Sequence, residues 1–228
     1  TLISNIFVAQ KVAGIFFVCL ITALTFLIVK KINIRNPAIW TIAIFFISVN
    51  FSFRIILVRT FLMSIILLLL GIYFLLLKKR WALYAVAIAY GLSYSIPFLL
   101  AVGIIWTISQ IIVQGKKGVD WMAPVIIFGG ILTGIVLHPV FPQNIIFLKD
   151  YLLPVFYKVP IEELNGGVEL APYDLFQFIQ YEWMALFLWV TSVFLFIKNY
   201  FKTEAKSQKL FFVLVSTMFF GLALMSRR

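Results

Sequence analysis

Arg54 and Arg59 stand five residues apart and flank one end of an uncharged apolar run, 38–53. A guanidinium presents forked donors and stays charged, so an arginine pair suits a phosphate or pyrophosphate carried on a lipid. The structural alternative is that each arginine snorkels at the end of an apolar helix. His138-Pro139 closes a second run, 121–137. A lone histidine there either caps the helix or serves as a ligand or an acid–base group. Three carboxylates, Glu169, Asp174 and Glu182, could hold sugar hydroxyls or act as a base. Asp174 is the weakest of them, because it is also placed to cap a helix. Glu162-Glu163 fits a solvated face.

The acids belong to one stretch. Asp150, Glu162, Glu163, Glu169, Asp174 and Glu182 are six of the chain's eight acidic residues, and all lie between His138 and Trp183. Pro139, Pro142, Pro154, Pro160 and Pro172 are there as well, and Asn165-Gly166-Gly167 predicts a turn. Asn144 to Tyr157 is aromatic, apolar and too short to cross a bilayer, which suits a helix lying in the membrane interface. Pro172-Tyr173-Asp174 then opens a helix. Gln177 completes a capping box with Asp174, and Tyr173 and Phe178 are spaced as a hydrophobic staple. The helix is predicted to run from Leu175 straight into the apolar run 183–197, with Tyr181 and Trp183 at headgroup level.

A hydrophobic fraction of 64% with 12% charged residues excludes a soluble globular domain. The sequence predicts an all-α fold, a polytopic transmembrane helix bundle of about eight spans with one long outer loop, 138–182. The whole chain, 1–228, is a single transmembrane domain with spans near 12–29, 38–53, 60–77, 81–96, 98–113, 121–137, 183–197 and 210–225. As one straight helix, Trp81 to Val113 would be about 50 Å long against a hydrocarbon core of ~30 Å, so Pro97 is expected to divide it into a hairpin. Gly130 and Gly134 predict a close helix–helix approach, and Asn50 an interhelical hydrogen bond. Cys19 and His138 are the only cysteine and histidine, which leaves no disulfide, no histidine or cysteine metal cluster and no evident cofactor.

The net charge of +11 does not point to nucleic acid, because the basic residues sit in the short gaps between apolar runs. Alternate gaps carry Lys30, Lys31 and Arg35, then Lys78, Lys79 and Arg80, then Lys116 and Lys117, then Lys198, Lys202, Lys206 and Lys209. The other gaps and both ends carry only Lys11, Arg54, Arg59, Lys149, Lys158, Arg227 and Arg228. The positive-inside rule puts the first set in the cytoplasm and the long loop outside. Thr1 then also lies outside, as expected of an excerpt of a longer protein. No P-loop, no GxGxxG and no charge within a span interior is present. Ion-coupled transport usually needs such a charge, so handling of an amphipathic lipid substrate at an interface is the better fit.

Arg59 to Trp81 (RTFLMSIILLLLGIYFLLLKKRW) resembles a recurring element of the polytopic GT-C glycosyltransferases, the superfamily of protein mannosyltransferases and lipid-linked-sugar transferases. His138-Pro-Val-Phe-Pro-Gln-Asn144 is similar to the Asn-Pro-aromatic-Gly stretch that opens their long outer loop. Tyr181-Glu182-Trp183 and Met225-Ser-Arg-Arg228 also look like them. The likeness spans roughly Arg35 to Arg228 in short motifs. It departs at Thr60, where the family often has Pro, and at His138, where it has Asn. The family's catalytic acid in a first outer loop has no counterpart here. The resemblance implies a membrane glycosyltransferase that uses a polyprenyl-phosphate-linked sugar donor. Its catalytic carboxylate would lie upstream, and a divalent metal could belong to that part. Its partners would be membrane lipid and the lipid-linked donor, at a bacterial or archaeal cell membrane. Two alternatives stand beside it: a transporter or flippase of a lipid-linked saccharide, and a non-catalytic subunit of a membrane complex.

Overall fold

Long runs of Leu, Ile, Phe and Ala without charge or proline satisfy their backbone groups most simply by coiling, and the chain does so wherever such a run is described. The structure is a computed structural model that describes residues 6–47, 61–93, 97–115, 118–146, 175–199 and 206–225, and the elements among them are all helical. The helices are α1 (Ile6–Lys31), α2 (Pro37–Ile47), α3 (Phe61–Leu76), α4 (Arg80–Ser93), α5 (Phe98–Gln114), α6 (Met122–Leu137), α7 (Leu175–Asn199) and α8 (Lys206–Met225). One stretch of them, Lys11–Lys31, is long and apolar enough to cross a membrane. Leu62–Leu76, Phe98–Gln114 and Met122–Leu137 are apolar but shorter. The first helix begins well before Val12 and carries Lys11 within it. Asn50 lies outside the described residues.

The ends of the helices have local causes. After α1 the chain turns left-handed at Asn33 (φ 56°), and the Ile34 N–H reaches back to the Val29 carbonyl. After α3 it does so at Lys78 (φ 55°), and the Lys79 N–H donates to the Phe74 carbonyl at 3.0 Å. Both are the 6→1 closure of a Schellman motif, which satisfies carbonyls the last turn would leave bare. Pro97 precedes the first turn of α5 and its carbonyl accepts from Leu100 and Ala101. A proline has no N–H to continue α4, so the long uncharged run becomes two helices.

Packing sets the directions. Ile21 and Leu24 of α1 cluster with Leu62 and Ile66 early in α3. Ile28, further along α1, joins a second cluster with Leu67, Ile72 and Leu75, further along α3. The two helices therefore run parallel. α4 and α6 are also parallel, because their contacts advance together. A Cβ on Gly130 would meet Ala87 and the Tyr84 carbonyl, and one on Gly134 would meet the Ile88 carbonyl and Gly91. The predicted glycine pair is thus where α6 comes closest to α4, and the Tyr84 and Thr133 hydroxyls bond beside it at 3.0 Å. α5 runs against α6, with Gly103 beside Ile127 and Thr107 near Asp120. α8 runs against α5, because Phe98 meets Phe219 (5.8 Å) and Trp106 meets Phe211 (5.1 Å). α7 packs on α8 and α2.

Two ends follow from these directions. One gathers the last turns of α1, α3 and α5 and the first turns of α2, α4, α6 and α8. The other gathers the ends of α4 and α6 and the starts of α3, α5 and α7. α5 buries polar Thr107, Ser109 and Gln110 together with Leu99, Val102 and Trp106, while Ile104, Ile108 and Ile112 are exposed.

Candidate functional site

His138 closes α6 with extended backbone (φ −65°, ψ 134°). Its Nδ1 accepts the Val140 N–H at 3.2 Å and its carbonyl accepts the Phe141 N–H at 2.9 Å. A neutral ring that accepts at Nδ1 carries its proton on Nε2, so Nε2 is the nitrogen left to meet a ligand. The turn is held from behind by Asn144, whose Nδ2 donates to the Ile135 carbonyl at 2.9 Å. That carbonyl also accepts the His138 N–H at 3.3 Å, so the side chain adds a second bond at the helix end. The Asn144 Oδ1 is buried and has no hydrogen-bond partner among the described residues. A helical turn over 143–146 follows, where the interfacial segment is expected to begin.

Glu182 lies in α7, which is not the uninterrupted helix expected. Its backbone leaves helical geometry at Glu182 (φ −118°, ψ 15°), so the helix bends there. A break of this kind disturbs the i→i−4 ladder on both sides and leaves backbone groups to find other partners. Glu182 is half-buried and Trp183 beside it is exposed. Trp189, two turns on, donates to Thr217 of α8 at 3.3 Å and stacks on Phe220 at 5.3 Å.

The bundle therefore brings His138 and Glu182 to the same end, opposite the basic links. They stand on helices that pack against different neighbours, α6 on α4 and α5, and α7 on α8 and α2. Arg54 and Arg59 fall in 48–60, which joins α2 to α3, and lie outside the described residues. So do Glu169 and Asp174, and with Asp174 the predicted capping box. Among the described residues no three His, Cys, Asp or Glu side chains gather as a metal site.

Sequence reasoning missed a polar node at the other end. The Gln110 side-chain oxygen accepts the Asp120 N–H at 2.7 Å, and the Thr107 hydroxyl reaches the Asp120 carbonyl at 3.5 Å. Arg80 lies 3.7 Å from the Asp120 carboxylate, whose Oδ1 is buried. The signal was a glutamine and a threonine inside an isoleucine-rich run, and an acid in the basic gap of Lys116 and Lys117. Their meeting depends on how the helices pack.

No protein-family model, no curated protein and no solved structure matches this chain.

Proposed function

We propose that the chain belongs to a polytopic membrane glycosyltransferase of the GT-C kind, with about eight spans. It transfers a sugar from a polyprenyl-phosphate-linked donor to an acceptor at the outer face of a bacterial or archaeal cell membrane. The observation that carries this reading is the break of α7 at Glu182, a half-buried carboxylate at the end of the bundle away from the basic links. Many active-site residues sit in the sparsely populated bridge region that this backbone adopts. α5 supports a lipid environment, since its exposed isoleucines and the polar groups on its buried face suit hydrocarbon better than water.

The division of labour follows from the substrate. A polyprenyl-phosphate sugar has a tail that belongs in lipid and a head that belongs in water, so its site must open to both. In this reading Arg54, Arg59 and the Nε2 of His138 hold the phosphate. Glu182 and Glu169 hold sugar or acceptor hydroxyls, and Asp174 is the weaker third. The test is transfer by the full-length protein in proteoliposomes supplied with radiolabelled polyprenyl-phosphate sugars. Glu182→Gln is expected to lower transfer about ten- to hundred-fold, the worth of a hydrogen bond to a charged group. Unchanged transfer by that variant removes Glu182 from the site. Movement of the intact lipid-linked sugar across the bilayer without transfer would make the protein a flippase. Neither activity from a folded protein would make it a packing subunit.

A further inference from the structure

We infer that the end of the bundle carrying the basic links is a docking surface for anionic phospholipid headgroups, centred on Lys78, Lys79 and Arg80. The inference rests on the chain lying in a membrane and not on its transferring a sugar. The left-handed Lys78 closes α3, and the Leu83 N–H donates to the Lys79 carbonyl as α4 begins, so the three cations occupy one tight link. All three are exposed. Trp81 follows at 87% exposure, and the approach of Arg80 to Asp120 brings Trp121, 53% exposed, beside the same link. Cations flanked by exposed indoles match the layer where headgroups meet acyl chains.

The helix starts at this end sharpen the argument. A helix N-terminus carries partial positive charge and favours an acid in its first turn. α2, α4 and α8 all begin here and, like the other described helices, have none; what sets this end apart is the cations placed there instead. Arg35 precedes α2, Arg80 opens α4, and Lys209 lies in the first turn of α8. Lys30 and Lys31 of α1 add to the same end. Among the described residues Asp120 is the one carboxylate there, and it faces Arg80. Arg35, Arg80 and Lys209 thus stand at positive dipole ends, a conflict that an anionic leaflet relieves, while Lys30, Lys31 and Lys78 stand at helix C-termini and add to the charge that draws basic segments to such leaflets.

The test reconstitutes the full-length protein in nanodiscs of phosphatidylcholine with and without phosphatidylglycerol and counts retained lipid by native mass spectrometry. Both leaflets have the same composition, so a change of orientation does not affect the result. Wild type is expected to retain phosphatidylglycerol over phosphatidylcholine. Joint replacement K78Q, K79Q and R80Q should weaken that preference about ten-fold or more. Lys11→Gln, towards the opposite end, should leave it unchanged. Asp120→Asn removes the opposing carboxylate and keeps the backbone bond to Gln110, so it should strengthen retention, which gives a reading even if the triple variant does not fold. Equal retention by wild type and both basic-end variants overturns the proposal, as does displacement of the lipid by inorganic phosphate. Failure of the wild type to enter nanodiscs at all overturns the membrane reading instead.

Discussion

Gln110 and Arg80 both reach Asp120, and burial makes the two contacts unequal. Gln110 is 5% exposed and accepts the Asp120 N–H at 2.7 Å, so its loss leaves a half-buried donor unpaired. Gln110→Met keeps the volume and removes the acceptor, and is expected to cost about 1–3 kcal/mol in a reversible unfolding assay in detergent. The Arg80 side chain is 60% exposed and its nitrogen stands 3.7 Å from the carboxylate, beyond hydrogen-bonding distance. Arg80→Gln should therefore change stability by less than about 1 kcal/mol. Similar losses from the two variants would contradict this ranking. Gln110 is a polar residue in an isoleucine-rich run, but nothing in that run gives its partner, an N–H ten positions on.

At the scale of the helices, glycine decides how close two backbones come. A Cβ on Gly134 points at the Ile88 carbonyl, which is backbone and cannot rotate away, whereas one on Gly221 meets nothing within 4 Å. Gly134→Ala should force α4 and α6 apart and cost about 1–3 kcal/mol. Gly221→Ala should be neutral or gain up to about 1 kcal/mol from helix propensity. Comparing their midpoints in the same detergent checks both, and a stable Gly134→Ala would mean that the α4–α6 approach is looser than described. The sequence showed the Gly130/Gly134 spacing but not its partner, since any neighbouring helix would have served. α7 shows the converse. Its apolar pattern predicts one helix, and the bend at Glu182 gives no sign in that pattern.

The molecule as a whole makes two further predictions. Membranes from cells expressing the full-length protein should hold it through an alkaline carbonate wash, and release into the supernatant would end the membrane reading. In a background where the exposed Cys19 is replaced by Ser, Asn165→Cys should react with an impermeant thiol reagent in intact cells and Lys79→Cys should not. Equal labelling at both positions would overturn the outward placement of the long loop. Lys79 and His138 do lie at opposite ends of the bundle, which is the geometry those experiments require.

The positions of the helices were legible from local chemistry. Uncharged runs coil, Pro97 ends one helix and opens the next, and Lys78-Lys79-Arg80 marks a link, because each effect acts within a few residues. Which helices touch was not legible, because apolar stripes of similar width offer no unique partner. Only the packed structure sets α4 beside α6 through Gly91, Gly130 and Gly134, turns the polar side of α5 inward, and carries Asp120 to Gln110. The candidate site divides in the same way. The residue types suited to a phosphate and a sugar are visible along the chain, whereas the common end of His138 and Glu182 depends on helix direction. That direction comes from contacts between residues far apart in sequence, and local preference does not encode it.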